Sequence, residues 1–237
     1  MSSQPSRRVF LRLAGATLAG AAVSACAQSP ASPPSTAAEP PVTNADEALV
    51  RLQEGNQRYV ALQATHPNQT GGRRTELAQS QKPFAIVFGC VDSRAAPELL
   101  FDRGLGDLFV IRTAGHVLDN AALGSIEFGA AELKIPLIVV LGHERCGAVS
   151  ATIEAIEKHT EAPDQIAALV KGITPAVEKV HGQPGDQLDN VVRANTELTV
   201  AQLKTTPILA EALNKGALKI VGGRYDLDSG MVEIIVP

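Results

Sequence analysis

Two short stretches carry residue types with chemistry to offer. "FGCVDSRAAPE" places Cys90, Asp92 and Arg94 at alternate positions, and "GHERCG" places His143 and Cys146 three residues apart. Thiolate and imidazole are borderline-soft ligands that suit zinc far better than magnesium or calcium. His-x-x-Cys lets one turn supply two ligands, and Cys90 can bring a third from elsewhere in the chain. Three protein ligands leave one tetrahedral position open, which separates a catalytic zinc site from a structural one. The competing chemistry is a Cys90–Cys146 disulfide, the default for two cysteines in a chain that leaves the cytoplasm.

The elements that must position these residues are legible on either side of them. Phe84 to Phe88 is a continuous apolar run bounded by Pro83 and Gly89, and Asp107 to Arg112 and Pro136 to Gly142 have the same character. Such runs are expected of strands buried on both faces. Helical spacing predicts an amphipathic helix that starts at the Asn44-x-x-Glu47 capping signal and ends near residue 63. A short helix is expected over "ELAQSQK". Longer helices are expected over Asn120 to Leu133, Cys146 to Ile156, 163–180 and 186–203. A strand, a turn at Asp228 to Gly230 and a final strand complete the chain. Strands alternating with helices predict one α/β domain with a mainly parallel central sheet flanked by helices. In such sheets ligands bind beyond the carboxyl ends of the strands. If the strands ending at Cys90 and His143 are neighbours, Cys90, His143 and Cys146 converge on one point. Cys146 also stands where a helix begins, so free N–H groups there favour its thiolate.

The chain has 237 residues, enough for one substantial core, and a net charge of -4 with no long basic run, which argues against nucleic acid as a partner. Residues 1–26 read as an export signal. Arg7 and Arg8 precede a modestly apolar stretch, Leu13 to Ala25, too short to span a bilayer. Twin arginines followed by x-Phe-Leu resemble a twin-arginine translocation signal. "VSAC" resembles a lipobox, with Cys26 as the lipidated residue; a plain cleavage near Ala25 or Ala27 is the alternative. Residues 27–43, rich in Pro, Ser and Ala, read as a flexible tether that cannot build a core. The catalytic domain is then 44–237, held at a periplasmic or cell-envelope location.

Cys-x-Asp-x-Arg followed at a distance by His-x-x-Cys-Gly resembles the β-class carbonic anhydrases. "LxxGNxRYV", "GDLFVIRTAG", "GSIEFGA" and "GGRYDLDSG" agree with it. The resemblance implies that Cys90, His143 and Cys146 bind one zinc ion per subunit and that Asp92 and Arg94 form a catalytic dyad. Zinc lowers the pKa of bound water from about 15.7 to around 7 or somewhat above. Two thiolates cancel the charge of the ion, so this site should acidify water less than three histidines would. Asp92 would orient that water and Arg94 would hold the carboxylate off the metal. In the family this aspartate can instead ligate zinc in a closed form. Gln81, nine residues before Cys90, matches the plant-like branch, where glutamine bonds bicarbonate and the site stays open. Phe109 and Phe128 match the apolar wall for carbon dioxide, Phe128 replacing a tyrosine, and Gly147 is placed with them as substrate-binding. His116 stands where many relatives carry asparagine. Proton relay and a local hydrogen-bonding role are both open to it. The family's smallest unit is a dimer with the cleft at the subunit interface, so a homodimer or larger homo-oligomer is expected.

The expected function is reversible hydration of carbon dioxide to bicarbonate and a proton. Two alternatives are a related zinc hydrolase acting on carbon disulfide or carbonyl sulfide, and a non-catalytic envelope protein that binds bicarbonate. The twin-arginine route moves folded proteins, so zinc could be loaded before export, protecting both thiols. Replacing Arg7 and Arg8 by lysine is expected to leave the enzyme in the cytoplasm. Cell fractionation checks this, and continued export would contradict it.

Overall fold

The computed structural model describes residues 39–237. The export motif, Cys26 and the tether as far as residue 38 lie outside the described residues. Strands β1 (Ala85–Cys90), β2 (Leu108–Thr113), β3 (Leu137–His143), β4 (Lys219–Tyr225) and β5 (Val232–Val236) form one sheet in the order β2-β1-β3-β4-β5. All pairings are parallel except β4 with β5. The mainly parallel α/β expectation therefore holds.

Side-chain alternation along the strands divides the core in two. Ala85, Val87, Leu137, Val139, Leu141 and Val221 face Ala48 and Leu52 of α1 (Ala45–Val60) and Leu100 of α3 (Pro97–Leu100). Ile86, Phe88, Ile138, Val140 and Ile220 face the other way. They pack on Ile126 of α4 (Asn120–Ala131), Leu203 of α7 (Gln187–Thr205) and Leu209 of α8 (Pro207–Asn214). Strands β1 and β3 are buried along their whole length, as continuous apolar runs require. β2 is instead half-buried throughout, because it is an edge strand.

A third cluster sits beyond the carboxyl ends of β1 and β3. It joins Cys90 and Cys146 to α5 (Gly147–Glu157), α6 (Ile166–Lys179) and α7 through Val149, Ile153, Ile173, Ala176, Val191 and Val192. The sheet order places a topological switch point between β1 and β3, where chain connections diverge and a crevice opens. At Gly142 a Cβ would meet Thr196 Oγ1 at 2.5 Å, so glycine lets α7 close over the end of β3.

The capping signal at Asn44 is realised: its side chain accepts the Glu47 N–H at 2.9 Å, while the Glu47 carboxylate accepts the Thr43 N–H at 2.8 Å. That helix stops at Val60. The short helix expected over 76–82 lies earlier, at α2 (Gly71–Leu77), because Thr70 caps it by accepting the Arg73 N–H. α8 is an additional helix, opened by Pro207 at its first position, where a missing N–H costs nothing.

Candidate metal centre

The register pairs Gly89 with Leu141, so Cys90 ends β1 beside the last residues of β3. After His143 the chain turns through Glu144 and Arg145, the latter left-handed at φ 51, and Cys146 caps α5. The turn is tied down from β4 and the loop after it. Glu144 N–H donates to Tyr225 O at 2.9 Å, the Glu144 carboxylate accepts the Leu227 N–H at 3.1 Å, and Arg145 forks onto Asp228 at 2.6 and 3.0 Å.

One ligand atom each from Cys90, His143 and Cys146 lies within 4.8 Å of the others, and all three residues are buried. The two Sγ atoms are 3.9 Å apart. That is far outside a disulfide of about 2.05 Å, and both cysteines are free. It agrees with the spacing of about 3.8 Å that two thiolates take on one tetrahedral zinc with Zn–S bonds of about 2.3 Å. His143 Nδ1 lies 2.9 Å from Glu144 O, which can only accept, so Nδ1 carries the proton. Nε2 then presents a lone pair, buried and with no hydrogen-bond partner. A buried unpaired ring nitrogen is costly, and a cation between it and the two sulfurs satisfies all three. The donor set therefore fits zinc.

Protonation agrees. Hydrogen bonding from Cys146 and from the Gly115 N–H pushes the Cys90 thiol far down. The Cys146 thiol is pushed up by its bond to Cys90, by burial and by the neighbouring charge. The Ala148 and Val149 N–H groups at the start of α5 act in the expected downward direction but do not prevail. Without a cation the pair thus holds one negative charge and resists the second.

Asp92 stands at the mouth, its Oδ2 3.9 Å from His143 Nε2. It accepts from Arg94 three times: N–H to Oδ1 at 2.9 Å, Nε to Oδ1 at 3.0 Å and Nη2 to Oδ2 at 2.7 Å. This guanidinium holds the carboxyl well below the usual carboxylate range. A depressed carboxyl contributes its stability above about pH 4, the unfolded value, and loses it only as pH falls through the lower folded one. Arg94 Nη2 also reaches Arg145 O at 3.4 Å, linking the two motifs. Arg112 of β2 was not singled out from sequence. Its Nε donates to Cys90 O and its Nη2 to Asp92 O, both at 2.6 Å, which fixes the backbone on either side of Val91. A charged residue inside an apolar strand was the available signal, since such a group needs partners.

The other site residues are dispersed. Gly147 opens α5 beside Cys146 with open space where a Cβ would stand. Gln81 is exposed and precedes β1, at the end of the strand opposite Cys90. Phe109 pairs in register with Ile86, four residues and therefore roughly 13 Å from Cys90 along the sheet. Phe128 lies 6.5 Å from Phe109, ring to ring, and is half exposed. Within one chain the metal ligands and the Gln81/Phe109/Phe128 group do not meet. His116 is buried, with burial lowering its pKa to about 4, and its Nε2 is 2.9 Å from Asn195 Nδ2. It has no direct path to solvent within the chain, so the geometry favours the local hydrogen-bonding role.

Comparison with known proteins follows this geometry. Residues 85–232 match a family model described as carbonic anhydrase. The chain is 46% identical over 195 residues to a carbonic anhydrase of Mycolicibacterium smegmatis, covering 82% of this chain and 95% of that one. It is 44% identical over 191 residues to carbonic anhydrase 2 of Mycobacterium tuberculosis, covering 80% and 92% respectively. Among solved structures, the β-carbonic anhydrase CcaA superposes with a TM-score of 0.63 at 25% identity, covering 80% of this chain and 99% of that one. A Coccomyxa β-carbonic anhydrase gives 0.63 at 27% identity, covering 80% and 86%.

Arg112→Met retains bulk while deleting both donors to the Cys90 and Asp92 carbonyls. Turnover is expected to fall by about 10- to 100-fold with an unchanged circular dichroism spectrum; unchanged turnover would show that β2 does not hold the site.

Proposed function

The chain belongs to the carbonic anhydrase family, in its β class, and from that premise we propose how its residues divide the work. The reaction is reversible hydration of carbon dioxide to bicarbonate and a proton, with zinc as cofactor. The observation that carries this reading is the buried, unpartnered His143 Nε2 beside two free thiols, with an Asp–Arg pair at the mouth.

Cys90, His143 and Cys146 would hold the ion. Zinc, when bound, supplies a Lewis acid that brings the pKa of water toward neutrality. Asp92 offers its Oδ2 as acceptor for a proton of the attacking water. Arg94 keeps that carboxylate ionised and aimed. The open space beside Gly147, at the start of α5, leaves room for an anionic product at a helix N-terminus. For Asp92 to reach the metal, its charge-assisted bonds to Arg94 must break. Their number supports a site that stays open, in keeping with Gln81 and the plant-like branch.

The separation of Gln81, Phe109 and Phe128 from the metal end supports a homodimer as the working unit. In a two-fold assembly each subunit's aromatic wall can face the other's metal end. The half-buried edge strand β2 and the exposed apolar side chains of Val91, Leu99 and Phe128 are suited to such an interface. The twin-arginine motif and Cys26 support export to the cell envelope with a lipid anchor. Metabolic labelling with palmitate, lost in Cys26→Ser, tests the anchor.

Stopped-flow hydration of carbon dioxide, run with and without a chelator, tests the activity. Chelation is expected to abolish it and zinc to restore it, and Asp92→Asn is expected to lower it by about 100-fold or more. Faster turnover of carbonyl sulfide or carbon disulfide in the same assay would overturn the substrate assignment. Phe128→Arg is expected to give a monomer in sedimentation that has lost most of its hydration rate. A wild-type monomer with full activity would overturn the dimer.

A further inference from the structure

The Cys90 sulfur has a hydrogen-bond donor that its own sequence neighbourhood does not supply. Gly115, in the 3₁₀ turn Ala114–His116 after β2, points its N–H at Cys90 Sγ at 3.2 Å, in a buried position. Gly115 is left-handed at φ 62, and His116 follows at φ 43. Two consecutive left-handed residues, one of them not glycine, are held only where the surroundings impose the conformation. A Cβ on Gly115 would also meet Ile173 Cδ1 at 2.7 Å and Ala148 Cβ at 3.1 Å, so any other residue there adds crowding to a strained backbone.

Besides its own Thr113 Oγ1–Val117 O bond at 2.8 Å, the turn is tied to the helix behind it by Asn195, on the buried face of α7. Its Nδ2 lies 2.9 Å from Gly115 O and 2.9 Å from His116 Nε2. A carbonyl oxygen can only accept, so the amide nitrogen must face Gly115. The same NH₂ group then donates to His116 Nε2, which places the ring proton on Nδ1. His116 is seated edge-on to Phe88, with ring centroids 6.3 Å apart. One carboxamide thereby uses both of its donors on two adjacent residues and fixes the Gly115–His116 peptide, the unit directly after the N–H that meets the sulfur.

We propose that Asn195 is a positioning residue for the metal centre: through Gly115 and His116 it holds an N–H on the Cys90 thiolate and so limits how much charge that ligand donates to the metal. Groups that hydrogen-bond to ligands tune a metal site as the ligands themselves do. The proposal rests on Cys90 being a metal ligand, and the test separates the two claims.

The full chain is loaded with cobalt(II), and the sulfur-to-cobalt charge-transfer absorption is recorded for wild type, Asn195→Asp, which loses both donors with little change of shape, and His116→Phe. Asn195→Asp is expected to move the band to longer wavelength, because a thiolate without its N–H bond holds its electrons less tightly. Its affinity for zinc, measured by chelator competition, is expected to fall by about tenfold or more, because the turn no longer holds the sulfur in place. His116→Phe keeps the Asn195–Gly115 bond and is expected to move both quantities the same way by less. A wild-type band with no shift in either variant would overturn the role of Asn195, even if thermal stability fell. If Asn195→Asp does not fold, His116→Phe decides alone: a shift supports the clamp and an unmoved band overturns it. Absence of any sulfur-to-cobalt band in wild type would instead overturn the metal assignment itself.

Discussion

A buried imidazole nitrogen with no partner, set beside two buried and unjoined sulfurs, forms an arrangement that a folded chain does not maintain without return. His143 Nε2 has no hydrogen bond, the thiols stand 3.9 Å apart, and the charge on Cys90 opposes ionisation of Cys146. A divalent cation with an affinity for nitrogen and sulfur resolves all three conditions together. Much of the surrounding structure serves that point. The β1/β3 switch opens the crevice, the left-handed Arg145 returns the chain to α5, and Gly142 lets α7 close the back.

Around the ligands lies a second tier of control contributed by residues remote in sequence. Arg112 from β2 ties the carbonyls of Cys90 and Asp92, Tyr225 and Leu227 anchor Glu144, and Asp228 grips Arg145. Arg94 bridges Asp92 to the carbonyl of Arg145, so the two motifs form one unit. The late "GGRYDLDSG" segment thus has a physical role beside the metal motifs: its backbone and the Asp228 carboxylate hold the turn that presents His143 and Cys146.

The parallel strands and the three ligands were legible because apolar runs mark buried strands and because Cys, His and Cys at strand ends have few other uses. The open alternative, a disulfide, needed a distance to dismiss. Strand β2 was read as fully buried, since an apolar pattern does not reveal that its strand lies at a sheet edge. Gly115 and Arg112 lay within a quoted motif, yet a backbone N–H aimed at sulfur leaves no mark in side-chain types. Asn195 interrupts the apolar stripe Val191, Val192 and Val200 of α7, and a polar residue on such a face was the one clue to it. The separation of Gln81, Phe109 and Phe128 from the metal end was also beyond sequence, because motif matching names residues without saying how far apart the fold places them.

The central claim is that one metal ion sits between Cys90, Cys146 and His143. X-ray absorption at the zinc edge on the purified full chain tests it most directly. The account predicts two sulfur neighbours at about 2.3 Å and two lighter neighbours at about 2.0–2.1 Å. A spectrum with no sulfur neighbours, or a protein whose two core thiols are joined in a disulfide and hold no zinc, would contradict it.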